Sequence, residues 1–86
     1  MKLLWEDEAW EDYLVWQKED EKTLDRINSL LKDIKRNVYK GIGKPEPLKG
    51  KLSGWWSRRI NNIDRIVYKK ISEEVIVIAS CKGHYD

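Results

Sequence analysis

One carboxylate stands alone in the basic middle of this 86-residue chain. Glu46 is the only acid between Ile34 and Ile63, a stretch that contains eight Lys and Arg residues. The only histidine, His84, lies two residues before the last residue. A carboxylate can take a proton from a ribose 2′-hydroxyl, arginines can hold a phosphate and its developing charge, and an imidazolium can protonate the leaving oxygen. These residue types could therefore cleave RNA without a metal ion.

A plainer interpretation is a surface acid within a basic face, together with a histidine on a frayed C-terminal tail. Composition alone favours this interpretation. The charge distribution is more informative than the net charge of +2, because residues 1–25 hold nine acids against three bases and residues 26–59 hold ten bases against two acids. This asymmetry indicates a basic face suited to a polyanion, although two helices with ordinary solvated charges would also explain the acidic half.

The length predicts a single domain over residues 1–86. A lone cysteine, Cys81, cannot form an internal disulfide, and it ends an apolar run typical of a buried position. The natural setting of such a chain is a reducing cytoplasm. The first residues run directly into acids, which is not typical of a signal peptide, and no apolar stretch approaches membrane length. One histidine and one cysteine do not make a typical zinc site, so the sequence predicts no metal and no cofactor.

Hydrophobic periodicity predicts two helices in the first half. Residues 6–18 show helical spacing behind an acidic first turn, and Asp20 can cap a second helix that ends near Asn37. Residues 39–50 then form a loop in which Pro45 and Pro47 stand on either side of Glu46. Each proline restricts its own backbone and that of its predecessor, so the loop can hold the carboxylate stiffly, or it can simply be a rigid connection.

Strand patterns occupy residues 2–5, 54–60, 65–71 and 75–79. The element order predicts an α+β fold, with two N-terminal helices packed on one face of a twisted, mainly antiparallel sheet of about four strands. The other face would be partly open and would carry Arg59 or Arg65. Because strand side chains alternate, Arg58 and Arg59 must point to opposite faces and cannot serve one phosphate.

These residues also carry a resemblance that covers essentially the whole chain. The chain resembles the YoeB-type toxins of bacterial type II toxin–antitoxin systems, within the larger RelE group. The motifs that carry the resemblance are Lys2-Leu3-Leu4-Trp5, Trp10-Glu11-Asp12-Tyr13, Trp16-Gln17, Gly43-Lys44-Pro45-Glu46-Pro47-Leu48-Lys49, Leu52-Ser53-Gly54-Trp55-Trp56-Ser57-Arg58-Arg59-Ile60, Arg65-Ile66-Val67-Tyr68 and His84-Tyr85.

The resemblance implies a metal-independent, ribosome-dependent endoribonuclease that cuts mRNA in the ribosomal A site. It implies a microbial-ribonuclease-like fold, a cytoplasmic location and a homodimer. A cognate antitoxin of the YefM or Axe type would neutralise the toxin. The resemblance implies that Glu46 is the general base and His84 the general acid. Arg65 would stabilise the phosphorane, and Tyr85 would position the substrate. The predicted phosphate-binding residues are Lys44, Lys49, Lys51 and Arg59.

Three positions depart from the family pattern. The chain continues to Asp86 where the family usually stops at the tyrosine, Gly83 stands where an aromatic residue usually precedes the histidine, and Asp64 stands where a histidine often precedes the central arginine. An alternative function is a module of the same fold that binds RNA or the ribosome without cutting.

Overall fold

Five strands and two long helices make up the fold. The computed structural model describes residues 1–83. The elements in chain order are β1 (Lys2–Trp5), α1 (Asp7–Glu19), α2 (Glu21–Arg36), β2 (Glu46–Pro47), β3 (Trp56–Arg59), β4 (Arg65–Ser72) and β5 (Val75–Ser80), with a short 3₁₀ helix at Gly50–Leu52. The strands lie in the order β1-β5-β4-β3-β2. β1 pairs with β5 in parallel and every other pair is antiparallel, which confirms the predicted α+β class.

The expectation of about four strands was one strand short. Glu46 and Pro47 form β2, and they pair with Ser57 and Trp56 of β3. Proline lacks a backbone N–H and therefore fits an edge strand, where one side of the strand has no partner. The two prolines make this segment look like a loop in the sequence, although Leu48 extends the pairing by donating its N–H to the Trp55 carbonyl at 2.9 Å.

The second helix forms as its sequence predicts. Asp20 caps it by accepting a hydrogen bond from the Thr23 N–H at 3.1 Å. Its apolar face buries Ile27, Leu30 and Ile34 completely. These side chains pack on the helix-facing side of the sheet, where alternate residues of the inner strands supply the rest of the core, namely Ile60, Ile66, Tyr68, Ile76 and Ile78.

A charged residue also lies in this core. Arg58 points toward the helices, as strand alternation predicts, and it is fully buried. Its guanidinium forms an ion pair with Asp33 of α2 at 2.5 Å. Its Nε donates to the Tyr68 hydroxyl at 3.1 Å, and that hydroxyl donates to the Val38 carbonyl at 2.7 Å. Four backbone carbonyls accept from the guanidinium, at Asn37 (2.6 Å), Lys40 (2.9 Å), Ile42 (3.2 Å) and Val38 (3.4 Å).

Two glycines allow the chain after α2 to wrap closely around this guanidinium. Gly41 has φ +129°, and a Cβ built there would lie 1.8 Å from the Asp33 carboxylate. Gly43 has φ +81°, and its carbonyl accepts the Arg59 N–H at 2.6 Å. The segment between α2 and β2 is therefore fixed at both ends, by Arg58 and by the backbone of Arg59.

No helix within residues 1–83 is both long enough and apolar enough to cross a membrane.

Replacing Arg58 with Met is expected to destabilise the fold strongly. The substitution leaves several buried carbonyls without a donor, each at a cost of about 1–3 kcal/mol, so the free energy of unfolding should fall by at least about 3 kcal/mol. Arg59→Met is the matched control, because the neighbouring arginine is exposed and such substitutions stay within about 0.5 kcal/mol. Urea denaturation of both variants measures the difference. Equal losses would contradict the structural role assigned to Arg58.

The Cys81 thiol is expected to be inert in the folded protein. It is fully buried, and burial raises its pKa to about 12, with Asp12 and Asp64 adding to the rise. Because the thiolate is the reactive form, a thiol reagent at pH 8 should modify the folded chain at least ~100-fold more slowly than the denatured chain. Equal rates would place Cys81 at the surface in solution.

Candidate active site

The sheet face opposite the helices brings the predicted basic and acidic residues together. Glu46 lies directly across from Ser57, and Ser57 lies across from Val67. Two residues further along, Arg59 lies across from Arg65. Because directly paired residues and residues two apart share a face, the side chains of Glu46, Arg59 and Arg65 all leave the sheet on the same side.

The spacing of these three residues suits one phosphodiester. Neighbouring strands lie about 4.8 Å apart and alternate residues about 6.7 Å apart, which places the Cα atoms of Glu46 and Arg65 roughly 12 Å from each other. Side chains of this length can reach inward from both ends toward one phosphate. Arg59 stands between them on β3 and is exposed, so its charge is available to the same anion.

The backbone around Glu46 is stiff and locally strained. Lys44 has φ +50°, the only non-glycine residue with a positive φ within residues 1–83. A lysine in this left-handed conformation costs roughly 1–2 kcal/mol, so the surrounding contacts must impose it. Pro45 follows immediately and Pro47 pairs with Trp56. The carboxylate of Glu46 is exposed on this fixed edge strand.

The three predicted phosphate-binding lysines lie at the same edge of the sheet. Lys44 precedes β2, while Lys49 and Lys51 lie in and beside the 3₁₀ turn that connects β2 to β3. All three are exposed. They surround the strand that carries Glu46, so the positive charge predicted from sequence does collect near the carboxylate.

Arg65 is oriented by the turn that precedes it. Its Nη1 donates to the Asn61 carbonyl at 2.8 Å and to the Asp64 carbonyl at 3.1 Å. The Asn61 side-chain oxygen closes the turn by accepting the N–H groups of Ile63 and Asp64 at 2.8 Å and 2.7 Å. Both hydrogen bonds that this guanidinium makes within residues 1–83 use Nη1.

The sequence interpretation missed one basic residue on this face. Lys69 lies on β4 at a two-residue interval after Arg65 and Val67, so it shares their side of the sheet. Its ammonium group lies 5.7 Å from the centre of the Trp55 ring, a cation–π contact. Strand alternation from Arg65 was the signal that could have identified it.

The chain that leads to His84 is held at its base. The Cys81 N–H donates to Asp12 at 3.0 Å, and the Trp16 indole donates to the Cys81 carbonyl at 2.8 Å. Partial burial raises the pKa of Asp12, while its bond from Cys81 opposes the rise. The Arg65 N–H donates to the Gly83 carbonyl at 2.8 Å. The predicted roles of His84 and Tyr85 lie outside the described residues.

Within residues 1–83, no group of three His, Cys, Asp or Glu side chains is placed to hold a metal ion. What this face offers is an exposed carboxylate on a rigid edge strand, two arginines at directly paired positions, and several lysines around them. Such a face can bind an RNA phosphate and can accept a proton beside it.

Comparisons with known proteins identify the family of the chain. A family model described as "YoeB-like toxin of bacterial type II toxin-antitoxin system" matches residues 5–85. The Escherichia coli K12 protein "Toxin YoeB" is 49% identical over 85 residues, covering 99% of this chain and 100% of that protein.

Solved structures give the same result. A YoeB/ParE toxin from Agrobacterium tumefaciens superimposes with a TM-score of 0.95 at 43% identity, covering 99% of this chain and 100% of that one. The Staphylococcus aureus protein is 48% identical, over 99% of this chain and 98% of that one, both as a YoeB dimer (TM-score 0.91) and in a heterotetrameric YoeB–YefM toxin–antitoxin complex (0.89). The chain belongs to the YoeB-like toxins of bacterial type II toxin–antitoxin systems.

Proposed function

We propose that this toxin is a ribosome-dependent endoribonuclease that cuts mRNA in the ribosomal A site. The observation that carries the proposal is the common sheet face of Glu46, Arg59 and Arg65, next to the anchored base of the segment that leads to His84. Family membership supplies the substrate and the setting. The face supplies a base and cations at separations that one phosphodiester can span.

The proposed reaction is attack of the ribose 2′-oxygen on the adjacent phosphorus. Glu46 takes the 2′-hydroxyl proton as the new P–O bond forms. Arg65, with Arg59 beside it, stabilises the negative charge that grows on the phosphorane oxygens. His84 gives its proton to the 5′-oxygen as the bond between phosphorus and that oxygen breaks. The products are a 2′,3′-cyclic phosphate, or the 3′-phosphate formed by its hydrolysis, and a free 5′-hydroxyl.

The remaining residues have binding roles in this proposal. Lys44, Lys49 and Lys51 hold the phosphates that flank the cut, and Tyr85 positions the nucleotide at the scissile bond. Lys69 extends the same positive surface along β4. The strain at Lys44 is consistent with a functional role, because strained backbone tends to occur at such sites.

We also propose a cognate antitoxin of the YefM type and a homodimer as the toxin's own assembly, because the Staphylococcus aureus relative forms both assemblies. An acidic antitoxin segment would compete with RNA for this basic face. The alternative function, a module that occupies the ribosome or RNA without cutting, uses the same cations but needs no base at position 46.

End chemistry tests the mechanism directly. Purified ribosomes carrying a defined mRNA should yield a new end with a 2′,3′-cyclic phosphate or 3′-phosphate, and a 5′-hydroxyl on the downstream fragment. The reason is that the 2′-oxygen, rather than water, attacks the phosphorus. A 3′-hydroxyl with a 5′-phosphate would rule out this mechanism, and uncut mRNA on inhibited ribosomes would favour the binding module.

Glu46→Gln should lower single-turnover cleavage by about 10²–10⁴-fold, the usual contribution of a general base. His84→Gln should have a similar effect. Arg65→Ala should reduce the cleavage rate more than ribosome affinity, because Arg65 acts on charge that develops in the transition state. Glu73→Gln is the matched control, since Glu73 lies exposed beside the β4–β5 turn. If Glu46→Gln cleaves as fast as the parent, Glu46 is not the base.

Free protein should bind single-stranded RNA weakly and with strong salt dependence. If Lys44, Lys49, Lys51 and Arg59 each contact a phosphate, the slope of log K against log[salt] should be about −3, at roughly −0.7 per contact.

The double variant Lys49→Gln/Lys51→Gln should make that slope shallower by about 1.4. Lys32→Gln/Lys35→Gln removes the same charge from the exposed side of α2 and should leave the slope unchanged. Equal effects of both pairs would show that overall charge, and not this face, binds the RNA.

A further inference from the structure

The two family departures that flank the active site contact each other. The Asp64 carboxylate accepts the Gly83 N–H at 2.8 Å through Oδ1, and its Oδ2 accepts the Asn61 side-chain amide at 3.0 Å. The next residue, Arg65, donates its own N–H to the Gly83 carbonyl at 2.8 Å. Two consecutive residues at the start of β4 therefore hold both backbone polar groups of Gly83.

These bonds act where the sheet no longer constrains the chain. The pairing of β4 with β5 ends at Val67 and Ser80, after a register shift. Beyond Ser80, Cys81 holds the chain to α1 through Asp12 and Trp16, and the Lys82 ammonium group lies 5.6 Å from the centre of the Trp16 ring. The bond from Gly83 to Asp64 adds a second anchor two residues further on. A hydrogen bond to an ionised carboxylate is roughly twice as strong as one between neutral groups.

Gly83 has the conformation that this anchor needs. Its φ is +79°, and a Cβ built on it would meet nothing within 4 Å. The position therefore favours glycine because of its backbone angle and not because space is short. Asp64 is partly buried and its carboxylate sits within hydrogen-bond reach of this unusual backbone. A carboxylate at 64 and a glycine at 83 thus form one matched pair.

We propose that Asp64 is a positioning residue, which through Gly83 fixes the point from which the chain presents His84 to the phosphodiester held by Arg65. The inference rests on the proposed endoribonuclease function. Asp64 does not take part in proton transfer. It determines whether the proton donor starts close enough to the 5′-oxygen, and a displacement of about 1 Å at a reacting group can cost up to ~10²-fold in rate.

Three variants separate this role from general damage to the turn. Asp64→Ala removes the acceptor and should lower the single-turnover cleavage rate at saturating toxin by ~10-fold or more, with ribosome affinity little changed. Asp64→Asn keeps an oxygen that can accept the Gly83 N–H, so it should restore most of the rate. Asn62→Ala changes an exposed side chain of the same turn and leaves the bond from Gly83 to Asp64 in place, so it should cut nearly as well as the parent.

A modified leaving group tests which step is affected. An mRNA with sulfur in place of the 5′-oxygen at the scissile bond releases a thiolate, which leaves without needing a proton. The deficit of Asp64→Ala should largely disappear with this substrate, whereas Glu46→Gln should stay slow with both. A deficit of equal size with oxygen and sulfur, or no deficit at all, would overturn the proposal.

Gly83 provides a second pair of variants that does not depend on how well Asp64→Ala folds. Gly83→Asn tolerates a positive φ and Gly83→Val does not, while neither side chain meets a neighbour at its Cβ. Gly83→Val should therefore lose oxygen-substrate cleavage far more than Gly83→Asn. Equal rates for the two would also overturn the proposal.

Amide exchange reports the contact without any cleavage assay. The Gly83 N–H should exchange faster with solvent in Asp64→Ala than in Asp64→Asn or Asn62→Ala. Unchanged exchange in Asp64→Ala would contradict the anchor itself. If the parent toxin produces neither a cyclic phosphate nor a 3′-phosphate end on ribosomes, the proposed function fails and the positioning role fails with it. An active parent with an unaffected Asp64→Ala overturns only the positioning role.

Discussion

The remaining architecture depends on the hydrogen bonds and the ion pair of the buried Arg58 guanidinium. Removing an arginine from water costs several kcal/mol unless its donors are bonded, and here Nε, Nη1 and Nη2 all have acceptors. The hydrogen bond from Arg58 holds the pKa of Asp33 below its ordinary value, so the carboxylate stays ionised. The stability that the ionised Asp33 contributes is fully present above the ordinary pKa of an aspartate. It is lost as the pH falls from there through the lowered pKa of the folded state. The pair joins α2, β3 and the segment that leads into β2.

Strand alternation gives the two neighbouring arginines different tasks. Arg58 faces the helices and fixes the chain after α2, whereas Arg59 faces away and is exposed. The Arg59 N–H holds the Gly43 carbonyl at 2.6 Å, so the backbone of β3 positions the start of the segment that carries Glu46. A one-residue slip of β3 would exchange the two arginines, burying Arg59 and placing Arg58 on the open face. The register of this short strand therefore couples the stability of the fold to the composition of the candidate site.

Local patterns predicted most of the fold, and long-range contacts account for what they missed. The spacing of Ile27, Leu31 and Ile34 and the cap at Asp20 were sufficient for α2, because helix signals lie within a few residues. Glu46 and Pro47 were assigned to a loop, since their pairing with β3 depends on partners that lie eleven and nine residues further along the chain. The burial of Arg58 could not be predicted either, because nothing in the sequence of β3 shows which acid will approach the arginine.

In the candidate site, too, local patterns predicted some features and long-range contacts account for the others. Alternation correctly separated Arg58 from Arg59, and the same rule extended along β4 predicts the position of Lys69. The contact between Asp64 and Gly83 joins residues 19 positions apart. In the sequence these were two unrelated departures from a family pattern, and only the geometry shows that a hydrogen bond joins them.

The open face is built in a way that favours binding of an anion. Arg59 and Arg65 are directly paired across β3 and β4, and like charges at such positions destabilise a sheet by roughly 0.2–1 kcal/mol. The fold tolerates this repulsion because its stability comes from the opposite face, where the helices cover the core and Arg58. A phosphate placed between the two arginines would replace repulsion with attraction, and a ligand that binds only the folded state stabilises it. An acidic antitoxin segment on the same arginines would gain from the same relief. If RNA and an antitoxin segment both bind these arginines, as proposed, they would use one electrostatic feature and would exclude each other on this face.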